Sequence, residues 1–179
     1  MKLLGLTGLA GSGKDTLADG LLHDYEGRKI AFAGPLKEAC QTLFVLTDAQ
    51  LHDRDAKEAV DTRWGRSPRE IFQFVGTDLL RNLFDTEIFI KTARIRIESL
   101  RDTDLLVIVT DCRFENETRL IRELGGTVIH LRRSQRPAVR DHESERGLDV
   151  NPDSDRTLWN DGTVEELLLG VRSIVSLDK

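Results

Sequence analysis

Near the start of the chain, Gly8-Leu9-Ala10-Gly11-Ser12-Gly13-Lys14-Asp15-Thr16 restricts the fold more than any other stretch. It follows an apolar run, Leu3 to Thr7, and leads into a segment with Leu17, Leu21 and Leu22 on one helical face. Strand, glycine-rich loop and helix in that order is the setting in which a backbone can wrap a phosphate. The glycines let successive N–H groups point into one concavity, and the helix start adds the positive end of its dipole. Lys14 then acts as a point charge toward β- and γ-phosphates. The ordered G-x-x-G-x-G-K predicts a bound nucleoside triphosphate, held by Gly8, Ala10, Gly11, Ser12, Gly13, Lys14, Asp15 and Thr16.

The slot after the lysine usually carries a Ser or Thr whose hydroxyl holds Mg²⁺. Here it holds Asp15, and Thr16 comes next. Small nucleotide kinases often read G-K-x-T, so the departure points toward kinases and away from GTPases. Thr16 is the better metal-ligand candidate. Asp15 either reaches a metal through water or favours the first helical turn by its charge.

With 179 residues, 39% hydrophobic and 32% charged, the chain reads as one soluble globular domain with its own core. A net charge of −5 argues against nucleic-acid binding, which favours a basic face. No apolar run reaches membrane-spanning length and no signal-peptide pattern opens the chain, so a cytoplasmic location is expected. Cys40 and Cys112 lack metal-type spacing and read as free thiols of a reducing compartment. The four histidines suggest no ligand set.

Strand-like runs at Leu3–Thr7, Lys29–Ala33, Leu105–Thr110, Thr127–Leu131 and Thr157–Trp159 alternate with helical patterns at Pro35–Leu46, Phe114–Leu124 and after Thr163. That alternation predicts an α/β parallel sheet. Two stretches break the rhythm. Residues 48–66 are charged without a clear apolar stripe, and residues 132–148 hold Arg132, Arg133, Arg136, Arg140 and Arg146. Both read as solvated loops or as mobile flaps over a site.

Asp111 ends an apolar strand, where ligands of such sheets bind, so it is a candidate to hold Mg²⁺ through water; a turn aspartate is the plain alternative. Arg113 suits two parallel hydrogen bonds to a phosphate, or a surface ion pair. Ser67-Pro68-Arg69-Glu70 is a capped helix start. From it Arg69, Gln73, Thr77 and Arg81 recur every four residues as one polar stripe, with Ile71, Val75, Leu79 and Leu83 opposite and free to pack inward. The stripe faces either water or a second substrate, with the arginines on its phosphate, Gln73 at a base edge and Gly76 permitting close approach. Trp64 stacks on a base or serves as a core or hinge residue. Asn160-Asp161-Gly162-Thr163 is a turn whose backbone either touches adenine or simply caps the last helix. The arginines of 132–140 either suit the charge that spreads over a moving phosphoryl group or form a solvated basic loop tempered by Asp141, Glu143 and Glu145.

Together, Gly11-Ser12-Gly13-Lys14-Asp15-Thr16, Ala33-Gly34-Pro35-Leu36-Lys37, Ser67-Pro68-Arg69 with Gln73, Gly76-Thr77-Asp78 and Arg81, Asp111-Cys112-Arg113-Phe114-Glu115-Asn116-Glu117, His142-Glu143-Ser144-Glu145 and Asn160-Asp161-Gly162-Thr163 resemble the phage-type deoxynucleoside monophosphate kinases. The order and spacing of these pieces carry the resemblance over nearly the whole chain. It implies a P-loop three-layer fold with a five-stranded parallel sheet, a helical monophosphate-binding insertion over about 34–100 and a small ATP lid over about 132–148. It also implies γ-phosphoryl transfer from ATP to a deoxynucleoside monophosphate, with Mg²⁺, for which Asp15, Thr16 and Asp111 are the candidate ligands. The resemblance assigns Lys14, Arg113, Arg132, Arg133 and Arg136 to catalysis. It assigns Lys14 and the loop amides to ATP, and Lys37, Arg69, Arg81 and Arg113 to the acceptor phosphate; the residues themselves add Asn160 as a candidate for ATP and Trp64, Gln73, Thr77 and Asp78 as candidates for the nucleoside of the monophosphate. A homodimer and a host cytoplasm are compatible with it. Two rivals stand beside this reading: a kinase like dephospho-CoA kinase, which needs a base near Asp15 or Asp111, and a P-loop switch or assembly module.

Overall fold

The computed structural model describes residues 1–134, 148 and 150–174. Five strands, β1 (Lys2–Thr7), β2 (Gly27–Ile30), β3 (Leu106–Cys112), β4 (Thr127–Arg132) and β5 (Asp155–Trp159), form one sheet in the order β2-β3-β1-β4-β5. Every pairing is parallel. Parallel strands need crossovers, and the helices supply them. They are α1 (Lys14–Asp24), α2 (Gly34–Phe44), α3 (Asp48–His52), α4 (Arg54–Glu58), α5 (Pro68–Gln73), a π-helical segment (Phe74–Phe84), α6 (Ile88–Glu98), α7 (Glu115–Glu123) and α8 (Val164–Ile174).

The chain divides into two compact units, Met1–Ala31 with Ala93–Lys179, and Phe32–Thr92. In the first, alternate residues of the strands build two layers. Leu4, Leu6, Leu106, Ile108, Ile129 and Leu131 pack with Leu17, Ala18 and Leu21 of α1 and with Leu167 and Val171 of α8. On the other face Ile121 of α7 lies so close to Gly5 that a Cβ there would stand 2.9 Å from its Cγ1. These strands are apolar on both faces because helices cover both. In the second unit Cys40, Leu46, Leu51 and Ile71 are buried together, with Leu36, Phe44, Phe72 and Val75 packed against them.

Several elements depart from the sequence expectation. The second strand runs Gly27–Ile30 rather than Lys29–Ala33. Its register is set by Gly27 opposite Leu106, and a Cβ on Gly27 would overlap the Leu106 carbonyl oxygen. Residues 48–66 are not a structureless flap. Thr47 caps α3 with a full capping box, Asp53 caps α4 at Ala56 N, and an antiparallel bridge joins Asp61 to Arg66. Buried Leu51 anchors the stretch, and with Trp64 edge-on to Phe44 as the other apolar contact the pattern is too sparse to register as a stripe.

The helix capped by Ser67 begins as expected. Ser67 Oγ accepts from Glu70 N at 3.3 Å, and Glu70 Oε2 accepts from Ser67 N at 2.7 Å. It then changes winding at Phe74. In an α-helix, positions four apart overshoot a turn by ~40°. With i→i+5 bonding they fall short of one. The expected inward line fails accordingly: Ile71 is buried, but Leu79 and Leu83 are 39% and 78% exposed. Gly76 is buried instead, and an added Cβ would stand 2.6 Å from Leu36 Cδ2. Gly76 therefore serves the packing of α2 and not the approach of a ligand.

Candidate nucleotide and phosphoryl-transfer site

Register builds the site. Thr7, the last residue of β1, is level with Cys112 of β3 on one side and His130 of β4 on the other, and His130 is level with Thr157 of β5. One step beyond that row lie Gly8, Arg113 and Leu131, and beyond Trp159 comes Asn160. Four segments thus emerge at the carboxyl edge of a parallel sheet, where open α/β sheets bind ligands.

The loop closes with Gly8, Gly11 and Gly13 all at positive φ (147°, 75° and 100°). Ser12 N donates to Leu9 O at 3.1 Å and Leu17 N to Gly13 O at 2.9 Å, so the turn runs directly into α1. Two approaches fix its ends. A Cβ on Gly8 would overlap the Leu131 carbonyl oxygen, and one on Gly13 would overlap the Asn160 Nδ2. The Lys14 ammonium folds back across the loop, donating to Gly8 O at 2.7 Å and Leu9 O at 2.9 Å and lying 3.4 Å from Ser12 Oγ. Asp15 and Thr16 sit exposed on the first turn of α1.

Between Gly5–Val109 and Thr7–Cys112 the β3 strand carries one more residue than β1, a bulge at Thr110–Asp111. A bulge breaks side-chain alternation and re-aims the side chains after it. Asp111 is half-buried there. The turn after β3 hangs on Glu117, buried in the first turns of α7. Its Oε2 accepts from Arg113 N at 2.7 Å and Phe114 N at 3.1 Å. Arg113 itself is exposed. Burial first, then the Glu117 and Asp111 charges, push the Cys112 thiol well above its ordinary range, so this cysteine is inert.

At the end of β4, Arg132 accepts at its carbonyl from Asn160 N at 2.7 Å, and Arg133 Nε donates to Asn160 O at 3.1 Å. Ser134 donates to Asp161 through N at 2.7 Å and Oγ at 2.5 Å, which holds the Asp161 carboxyl below its usual range. Arg136 lies outside the described residues, as do Arg140, Arg146, His142 and most of the expected lid.

In the second unit, Lys37 is half-buried in the first turn of α2. Arg69 Nε lies 2.7 Å from Glu58 Oε1, both side chains largely exposed. Gln73, Thr77 and Asp78 are exposed, while Arg81 is half-buried with its guanidinium carbon 5.0 Å from the Phe89 ring centre. Trp64 is 44% exposed, donates Nε1–H to Phe44 O at 2.9 Å and meets the Phe44 ring edge-on at 5.3 Å. Its turn is tied by Asp61, whose carboxylate takes Arg63 Nη2 at 2.6 Å and Gln50 Nε2 at 2.9 Å. Those two bonds hold Asp61 well below the usual carboxylate range.

Sequence reasoning missed Glu117 and Asp61, and also Asp155. Only Glu117 carried a signal, an acidic residue at the third helical position after the turn. Asp155 is fully buried and takes Arg122 through Nε at 2.9 Å and Nη2 at 2.8 Å, His130 Nε2 at 2.9 Å, and Asn151 N at 2.9 Å. Among the described residues no group of three or more His, Cys, Asp or Glu could hold a metal ion on its own. No described helix is long and apolar enough to cross a membrane.

A family model described as deoxynucleotide monophosphate kinase matches residues 53–171. A relative in Acanthamoeba polyphaga mimivirus is 38% identical over 186 residues, covering 98% of this chain and 96% of the relative. The deoxynucleotide monophosphate kinase of Enterobacteria phage T4 is 26% identical over 243 residues, covering 99% and 100%. That of Escherichia phage RB69 is 32% identical over 123 residues, covering 68% of this chain and 49% of the relative. Among solved structures, a sugar kinase from Janibacter aligns at TM-score 0.54 and 14% identity, covering 99% of this chain and 96% of that one. A shikimate kinase from Bacteroides thetaiotaomicron aligns at 0.51 and 14%, covering 98% and 99%. These two share the α/β P-loop fold.

Proposed function

The chain belongs to the deoxynucleotide monophosphate kinase family, and from that premise we propose how its own residues carry the transfer of the ATP γ-phosphoryl to a deoxynucleoside monophosphate, giving the diphosphate and ADP. The observation that carries the proposal is the loop of Gly8, Gly11, Gly13 and Lys14 at the same sheet edge as Arg113. Loop N–H groups and the Lys14 ammonium hold the β- and γ-phosphates. Lys14 then exchanges carbonyl acceptors for phosphate oxygens, which carry full charge and bind it more strongly. Arg113, Arg132 and Arg133 neutralise charge on the phosphoryl group as it moves. Arg136 is assigned with them from the sequence.

Lys37, Arg69 and Arg81 take the acceptor phosphate, and Trp64, Gln73, Thr77 and Asp78 take its nucleoside. No general base is needed, because the acceptor phosphate is already anionic at pH 7 (second pKa ≈ 6). Positioning and charge neutralisation do the work. The donor set suits Mg²⁺, which keeps most of its waters and takes only one or two protein oxygens besides substrate phosphates. Thr16, with Asp15 or Asp111 through water, would hold it, and it would supply charge neutralisation across the β- and γ-phosphates. The proposed compartment is the cytoplasm, the host's if the chain is phage-encoded, and a homodimer is part of the same reading.

The test is coupled ADP release with ATP and a panel of deoxy- and ribonucleoside monophosphates plus dephospho-CoA. Fast release dependent on a deoxynucleoside monophosphate is expected. Dependence on dephospho-CoA, or slow turnover indifferent to any acceptor, would overturn the proposal.

A further inference from the structure

We infer that the Asn160 side chain is a positioning residue for the phosphate loop: its amide N–H fixes the shape of the loop, and its backbone holds the Arg132–Arg133 corner to the same point.

Two independent observations meet at this residue. Asn160 is only 7% exposed, and its Nδ2 donates to Ser12 O at 2.8 Å. The same amide occupies the space a Cβ of Gly13 would need. The residue at the base of α1 is therefore glycine for two reasons, its φ of 100° and the neighbour that fills its missing side chain. Accepting from this amide holds the Ser12 carbonyl toward Asn160. That matters because an anion-binding loop needs N–H groups inward and carbonyls outward.

The backbone of the same residue works on the other side. Asn160 N donates to Arg132 O, and Asn160 O accepts from Arg133 Nε. One residue thus ties the loop that grips triphosphate to the two arginines assigned to the moving phosphoryl group. The inference rests on the reading that this loop holds ATP. It replaces a backbone contact with adenine by a side-chain role in shaping the loop.

The experiment separates donation from space-filling. Asn160→Asp keeps the volume but sets a carboxylate against the Ser12 carbonyl, whereas Asn160→Ala removes both. ATP affinity is measured by titration calorimetry, KM for ATP and for the monophosphate by coupled assay, and melting temperature on the same samples. Lys14→Ala serves as the control for the underlying reading. Ser134→Ala, which removes a hydrogen bond at the same corner, serves as the control for general loosening.

We expect Asn160→Asp to weaken ATP binding at least tenfold, at least as much as Asn160→Ala, with the monophosphate KM within twofold of the parent. Ser134→Ala should leave both constants within twofold. If Asn160→Asp melts below the assay temperature, Asn160→Ser is read in its place, since it keeps a donor and should bind ATP more tightly than Asn160→Ala. The inference is overturned if Asn160→Asp binds ATP within twofold of the parent, if Asn160→Ser binds no better than Asn160→Ala, or if Ser134→Ala reproduces the loss. In each of those cases a loss of ATP binding in Lys14→Ala would leave the nucleotide reading standing. Retained binding in Lys14→Ala would remove that reading itself.

Discussion

Glu117 does at residue scale what the phosphate loop does with glycines: it decides where a backbone points. One carboxylate oxygen gathers two N–H groups and sets the stem from which Arg113 projects. Leaving buried donors unmet costs about 1–3 kcal/mol. Glu117→Ala should lower stability by that amount and reduce kcat/KM for the monophosphate, while Glu117→Gln, which keeps an acceptor, should lose less of each; urea unfolding and steady-state kinetics check both. Arg69 lies in an exposed ion pair with Glu58, worth under about 1 kcal/mol, so the proposed acceptor phosphate would recruit it at little cost. Arg69→Ala should raise the monophosphate KM roughly tenfold, equivalent to about 1.4 kcal/mol, and the ATP KM much less; equal changes in both would remove Arg69 from the acceptor. The loop was legible because its backbone demands are local, namely glycines at left-handed φ with a lysine directly after them. Glu117, Asp61 and Asp155 were not, because each acts on groups that only the fold brings near.

Among elements, the caps at Ser67 and Thr163 were readable from four residues, and both formed. The change to π winding after Gln73 was not readable. Apolar and polar residues recur every four positions there, which suits α and π winding almost equally. Burial decides between them, with Gly76 inward and Leu83 outward. Gly76→Ala should destabilise by about 1–3 kcal/mol if Leu36 cannot yield, since overpacking forces side chains off their rotamers. The end of α2 offers the opposite case. Val45 is 66% exposed at φ 51°, a left-handed conformation poor for a β-branched side chain. Val45→Gly should stabilise the protein by about 1 kcal/mol, read as a higher urea midpoint with unchanged slope.

Across the whole molecule, the parallel sheet and its helical layers could be read from the alternation of patterns, but strand order could not. That order makes β1 central and sets Arg113 beside the loop. The second unit, Phe32–Thr92, overlaps the insertion that the resemblance placed over about 34–100, although no composition shift marks its limits. Asp155 ties α7, β4 and β5 together. Burial alone would raise its carboxyl, but hydrogen bonds from Arg122, Asn151 N and His130 outweigh that and hold it well below the usual range. A carboxylate depressed on folding stabilises fully above its unfolded pKa, ~3.9, and loses that contribution as pH falls below it. Stability should therefore drop between about pH 4 and pH 2. Asp155→Asn, costing about 3 kcal/mol at pH 7 by taking the buried carboxylate away from Arg122, should show a shallower drop over the same range in acid-unfolding curves.

Sheet order also dictates when the molecule can be finished during synthesis. The strand that feeds the phosphate loop leaves the ribosome about a hundred residues before both its neighbours, Leu106–Cys112 and Thr127–Arg132. Phe32–Thr92 is continuous and has its own buried cluster, so it can collapse while the nascent loop still waits without a template.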